Sequence, residues 1–457
     1  MNKSYLTLEF KLFFRNTASW IGILVLLLTG FTGLYFGKKI IEKQHDVIKT
    51  ASVLQRVNTS NNIAHFGKDA GLFFYHNKFS LANKPTVWAG IANGQRDVNP
   101  YLISVTMLGL EGQLYDTDIA NPVSLLFGNI DLNFVFLFVF PLVIIAFTYN
   151  LLSEQKESGL WPVLRAQTNQ LFKLVWLKFL VRLLTVYAVA VILLIISFYY
   201  MELPFDDKFI YFCALIVLYL AFWFAMAFLL IALGKSSSFN ASAFVALWVL
   251  ICIVIPASLN LYVTQRYPMP EALAHVIKQR EGYHEKWDMD KQVTMKPFFK
   301  HYPVLAKYPF PEEKSFSWFW YYGMQQMGDD QAMDSRLAME QKLASRQGFT
   351  NLIALFFPTI QLQLGVNELA GTDLANHLKF QQAVRNYHEQ LRLHFYPAIF
   401  LNQEVIKTDI KKTKLRMFNP QTNIIPYGRL VSLFVMTLIL SLISVLKFKS
   451  GRYRLNP

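Results

Sequence analysis

Six long apolar runs limit what this chain can fold into. They are Trp20 to Gly37, Leu132 to Tyr149, Leu183 to Tyr200, Ile210 to Leu233, Phe239 to Leu261 and Leu430 to Leu446. Each approaches the about 20 residues that a helix needs to cross roughly 30 Å of hydrocarbon, where backbone polar groups must be satisfied within the segment. With 54% of residues hydrophobic and 16% aromatic, the composition lies outside that of ordinary soluble domains. The expected fold is an all-α polytopic membrane protein with six transmembrane helices.

The leader, residues 1–19, contains Glu9, and no small-residue cleavage pattern follows the first run, so that run is expected to remain as an uncleaved span. YLTLEFKLFFRN places Leu6, Phe10, Phe13 and Phe14 on one helical face, which predicts an amphipathic helix lying in the membrane interface. Charge in the short segments sets the orientation. With the N-terminus inside, the internal segments hold thirteen bases against three acids, while the short outer loop MELPFDDK carries Glu202, Asp206 and Asp207 with only Lys208. Both termini are therefore expected in the cytosol, the second of them as a tail over residues 447–457. The same imbalance accounts for most of the formal charge of +14, so the basic balance calls for no nucleic-acid partner.

Two long insertions are left on the far side, residues 38–131 and 262–429. The first opens with IIEKQHDVIKTASVLQRV, a helical pattern able to continue the first span. In the second, Phe380, Val384, Tyr387, Leu391 and Phe395 recur on one helical face, with Thr372 or Asp373 placed to cap the helix. DDQAMDSRLAMEQKLASRQ also reads as helix, and no strand alternation stands out. A mainly helical extracytoplasmic domain built from the two insertions follows. Cys213 and Cys252 both fall in spans, so this domain must rest on packing without a disulfide.

Several motifs fail on inspection. LGKSSS, with Gly234, Lys235 and Ser236, ends like a phosphate-binding loop, but Leu229 stands where the first glycine belongs and the segment joins two apolar runs. Histidines 275, 284, 301, 377, 388 and 394 lack the H-E-x-x-H spacing of a metal site and read as solvated or locally bonded side chains. No nucleophile motif appears, so the chain is not expected to be an enzyme. Between their interfacial ends the six runs contain no Asp, Glu, Lys, Arg or His, which removes the proton relay that ion-coupled transporters carry. Asp131 reads as an N-cap for the second span, and Pro141 and Pro256 should kink their helices.

Such a bundle, without fuel chemistry of its own, needs a place to receive work. SEQKESGLWPVLRAQ, Ser153 to Gln167, breaks the apolar pattern within residues 150–182. Glu154, Glu157 and Trp161 recur at helical spacing, so a short surface helix could offer two acids and an aromatic to a cytosolic partner. Ser158 and Gly159 follow the acids, Gly159 permits close backbone approach, and Pro162 interrupts the helix.

This segment, followed by LVWLKFL with Lys178, resembles the coupling helix of membrane subunits of type 2 ATP-binding-cassette transporters. Leu160 departs from the threonine that many relatives carry there. GQRDVNPYLISV with Gly94, Arg96, Asp97 and Pro100, NPVSLLFGNIDLNFVF, and ELAGTDLANHLKFQQAVRNYHEQL with Gly371, Thr372 and Asp373 are similar to the subgroup with two large extracytoplasmic insertions. The resemblance implies an N-terminal elbow helix, a dimer of membrane subunits, residence in the bacterial inner membrane, and two separate ATPase subunits. Those partner subunits would hold the ATP and Mg, leaving no cofactor in this chain. The implied function is export of an amphiphilic substrate driven by the ATPases. A second expectation is a mechanical transmitter that works on a periplasmic or outer-membrane partner without moving a substrate.

Overall fold

The computed structural model describes residues 3–115, 130–159, 162, 171–310, 316–405, 410, 413–420 and 425–450. The protein is largely helical, and six helices are long and apolar enough to cross a membrane. Helix α1, Lys3–Arg15, leads through an Asn16 cap into α2, Thr17–Phe66, which runs unbroken for 50 residues. At 1.5 Å per residue this rod is about 75 Å long, more than twice the thickness of a bilayer core. The continuation foreseen for IIEKQHDVIKTASVLQRV is thus one helix with the first span.

The second span combines Leu132–Phe134, a π-helical turn Val135–Val139 and Phe140–Thr148, together α5 once the short α3 (Ala70–His76) and α4 (Leu110–Leu114) are numbered. Asp131 caps it as expected, accepting the Phe134 N–H at 2.8 Å. Helix α6 is Ser153–Glu157, α7 is Leu171–Tyr200 and α8 is Asp207–Ala232. Helix α9 joins Ser237–Val249, a second π-helical turn Leu250–Val254 and Ile255–Arg266. The two π turns stand just before Pro141 and Pro256. Proline has no N–H to bond four residues back, and its ring crowds that carbonyl, so the widened turn relieves both problems.

The remaining helices are α10 (Glu271–His284), α11 (Lys291–His301), α12 (Trp318–Ala354), α13 (Pro358–Ala370), α14 (Leu374–Phe400) and α15 (Tyr427–Ser450). Two cores result. The bundle core contains Leu26, Phe136, Phe140, Leu193, Tyr219 and Trp223. A separate head core gathers Phe73, Phe74, Phe298, Phe319, Tyr322 and Phe395. In the head, Phe319 and Phe400 stack with ring centroids 3.6 Å apart. Helix α13 is the foot of the head: Leu362, Val366 and Leu369 belong to the bundle core, and Asn133 donates to Gln363 at 3.1 Å.

The head is not wholly helical. Strands β1 (Phe79–Asn83), β2 (Leu102–Val105) and β3 (Arg416–Phe418) form a sheet in the order β2-β1-β3, antiparallel on one side and parallel on the other. Their sequences hid them for physical reasons. All five residues of β1 are buried, so FSLAN shows no alternation, and the other two strands have four and three residues.

Candidate functional site

At the end of the bundle away from the head, two connections lock together. Leu152 precedes α6, and Gly159 closes that segment in the left-handed region with φ +72°. The connection between α8 and α9 turns at Gly234, φ +66°, and Ser236 caps α9 by accepting the Phe239 N–H at 3.3 Å. Glu157 reaches across, one carboxylate oxygen accepting the Ser237 N–H at 2.7 Å and the other its hydroxyl at 2.8 Å. A carboxylate on the unpaired N–H groups of a helix start also faces the positive end of its dipole. Ser153 Oγ lies 2.7 Å from Ser237 Oγ, Lys156 donates to the Gly234 carbonyl at 3.1 Å, and Asn240 donates to the Tyr149 carbonyl at 3.1 Å.

The sequence-predicted residues fall as follows. Glu154, Glu157, Ser158 and Gly159 are exposed on this surface, as are Lys235 and Ser236, and Pro162 is exposed as well. Leu160 and Trp161 lie outside the described residues. Of the two acids expected to be offered to a partner, Glu157 also bonds the chain's own helix α9. Glu154 accepts only from Asn150, at 3.0 Å among the described residues. The sequence reading missed Ser153, Ser237 and Asn240. The run of serines before an apolar segment is an N-cap signal for Ser236, but nothing local links it to a glutamate eighty positions earlier.

Arg182 ties α1 to this junction. Its guanidinium donates to the Phe147 carbonyl at 2.7 Å and lies 5.4 Å from the Phe13 ring, which meets Phe147 edge-on at 5.2 Å.

The motifs of the two insertions also meet, at the foot of the head. Gly94, with φ +53°, sits so close to Thr372 that a Cβ there would lie 2.5 Å from its hydroxyl. Gln95 N–H donates to the Thr372 carbonyl at 2.9 Å, and the Thr372 hydroxyl donates to Ala92 at 3.0 Å. Buried Arg96 donates to Gln44 at 2.8 Å and to the Asn83 carbonyl at 2.9 Å, tying this corner to α2. Asp97 bonds Asn93, and Pro100 lines a narrow cleft with Gly371 and Asp373. Gly371 is the left-handed cap of α13, φ +67°, and Asp373 occupies the N-cap position of α14. Burial lowers Arg96 to about 10, and burial together with Arg96 lowers His377 to about 4.

Higher in the head, a charged cluster joins the insertions again. Glu111 pairs with Arg385 at 2.9 Å and Arg336 at 3.4 Å, with buried His275 3.5 Å away; Glu340 lies 3.0 Å from Arg385. Burial alone would raise the Glu111 carboxyl, but bonds from His275 and Arg385 and the charges of both arginines hold it at about 2. His275 and His388 are buried, and the His388 Nε2–H donates to the Thr106 carbonyl at 2.8 Å. The expectation of solvated or locally bonded histidines is therefore corrected for these two: their helix faces turn into the core, where they meet Glu111 and Thr106 from far along the chain.

Residues 273–415 match a family model described as a domain of unknown function, DUF3526, which covers most of the head's second insertion and a minority of the chain. No curated protein matches this chain, and no solved structure does.

Proposed function

We propose that the chain is the membrane subunit of a type 2 ATP-binding-cassette exporter, driven by separate ATPase subunits and moving an amphiphilic substrate. The observation that carries this reading is the pair of hydrogen bonds that the Glu157 carboxylate accepts from Ser237. Force applied to the exposed α6 segment reaches α9 through that contact and α5 through the chain itself, so a partner pushing on one short helix tilts two apolar helices together. Exposed Glu154 is the acid left to meet the partner. On this reading α1 is the elbow helix, the head lies outside the cytoplasmic membrane of a bacterium, and a second membrane subunit completes the pathway.

The test is purification of the full-length chain in mild detergent from its native membranes, followed by identification of companions and assay of ATP hydrolysis. An ATPase subunit should co-purify, lose its association in Glu154→Lys, and supply all the hydrolysis. Hydrolysis by the isolated chain, or persistent absence of an ATPase companion, would sink the proposal.

A second reading has its own support. Helix α2 passes without a break from the bundle into the head, where Gln55 and Arg96 with Gln44 fasten it to the sheet and the motif corner. A rigid rod of that kind suits mechanical transmission to an envelope partner with no substrate crossing. Activity that survives crosslinking of the bundle against substrate passage would favour it.

A further inference from the structure

One face of α2, beyond the part that fits a bilayer, forms a wall of a groove whose other wall is β1 and β2. The cavity is about 660 Å³, within the range of small-molecule sites. Its lining is rich in amides and hydroxyls. Gln55, Asn58, Asn61 and Asn62 recur at helical spacing along it, and Ser80 and Ser104 face them from the sheet. Among the lining residues there is no carboxylate, and Lys78 is the one fixed cation. Phe66 and His76 close one end as a stacked pair, centroids 4.7 Å apart and 21° from parallel.

The walls are ordered by internal bonds that leave other groups free for a ligand. Gln55 accepts the Ser80 N–H at 2.9 Å, and the Ser80 and Ser104 hydroxyls lie 2.7 Å apart. The His65 Nδ1 lies 2.8 Å from the Asn61 carbonyl, which can only accept, so Nδ1 is the donor there. The side-chain amides of Asn58 and Asn61 bond to no described residue.

We propose that this groove binds a neutral oligosaccharide. Each amide presents a donor and an acceptor together, as each sugar hydroxyl does, and the flat Phe66–His76 stack offers an apolar platform for one face of a pyranose ring. A single lysine is too little for a nucleic acid or a polyanion. An extended peptide adding to the sheet needs an unpaired main-chain edge, and the groove presents side chains instead, with the Ser80 N–H already bonded to Gln55. This site lies apart from the α6 and α9 junction and does not depend on the transporter reading.

The test is calorimetric titration of the full-length protein in detergent with three probes: a β-linked N-acetylglucosamine trimer, a β-linked glucose trimer, and inorganic phosphate. Either trimer should bind. The paired substitution N58L and N61L should weaken that binding by at least about tenfold, His76→Ala should weaken it too, and Ser60→Leu, an exposed change on the same helix outside the groove lining, should leave it unaltered. Thermal denaturation of each variant reports that the head remains folded. Failure of both trimers to bind, binding of phosphate alone, or trimer binding untouched by the paired substitution would overturn the proposal.

Discussion

The Tyr219 hydroxyl donates at 2.7 Å to the Leu137 carbonyl, the group that Pro141 leaves without a partner. Residue 141 has no N–H to bond four positions back, the π turn Val135–Val139 opens the helix there, and a tyrosine from α8 fills the gap inside the bundle core. Tyr219→Phe should therefore cost about 1–3 kcal/mol, the penalty for a buried carbonyl left bare. Restoring an N–H with Pro141→Ala should shrink that cost, because the helix could then satisfy Leu137 itself. Thermal denaturation of the four members of the cycle in detergent measures the coupling. Equal losses in both backgrounds would show that the tyrosine acts only by packing.

The Ser153 and Ser237 hydroxyls, 2.7 Å apart, place their Cβ atoms within reach of a disulfide. The double substitution S153C and S237C should crosslink rapidly under mild oxidant, detected by mass spectrometry of the digested chain. Native Cys213 and Cys252 lie in the apolar helices and should stay reduced. If motion between α6 and α9 accompanies the working cycle, the oxidised form should lose the ATP-driven activity proposed above and regain it on reduction. Absence of the crosslink would show that the two connections separate in solution.

What the sequence made legible were features with a local cause. Apolar length announced the six membrane-scale helices, Asp131 announced a cap, and the amphipathic spacing of Phe380, Val384 and Tyr387 announced α14. The failures share a different cause, because each depends on a partner distant in the chain. Glu157 finds Ser237, Glu111 finds Arg385, and Gly94 finds Thr372 across long separations that no periodicity encodes. Helix α13 escaped notice for a related reason. Its polar residues Gln361, Gln363 and Asn367 break up the apolar pattern, and they are satisfied across the fold: Gln361 is bonded to the Leu355 carbonyl and Ser432, and Asn133 reaches Gln363.

Glu111 should make the head acid-sensitive. Its carboxyl is held at about 2, below the ordinary 4.5, by the groups that face it: Arg385, Arg336 and His275, with Tyr115 and Glu340 at the edge of the cluster. A depressed folded value means that the stabilisation is complete above the unfolded value and disappears as pH falls toward the folded one. The linked contribution is about 3 kcal/mol, present above pH 4.5 and lost progressively as pH approaches 2. Glu111→Gln should abolish that pH dependence while lowering stability at neutral pH by about 3 kcal/mol, since it leaves buried Arg385 with only Glu340 at the edge of the cluster. Denaturation followed by tryptophan fluorescence between pH 6 and about pH 2.5, wild type beside variant, separates the two effects; a wild-type curve parallel to that of Glu111→Gln would refute the assignment.

Glycine at position 37 fixes where α2 leaves the bundle. A Cβ there would lie 1.9 Å from the Gly90 carbonyl oxygen, and the obstacle is backbone, which cannot rotate away as a side chain can. Gly37→Ala must therefore push α2 from the turn at Val87–Gly90 and loosen the packing of Trp88 and Ile91 against the bundle core. A loss of about 1–3 kcal/mol is expected, in the range for overpacking a tight contact. Gly348, inside α12, supplies the contrast, because nothing lies within 4 Å of its added Cβ. Gly348→Ala should stabilise by up to about 1 kcal/mol through helix propensity alone. Melting of both variants in detergent checks the pair: opposite signs show that the α2 contact, and not a general sensitivity of helical glycines, controls the joint between bundle and head.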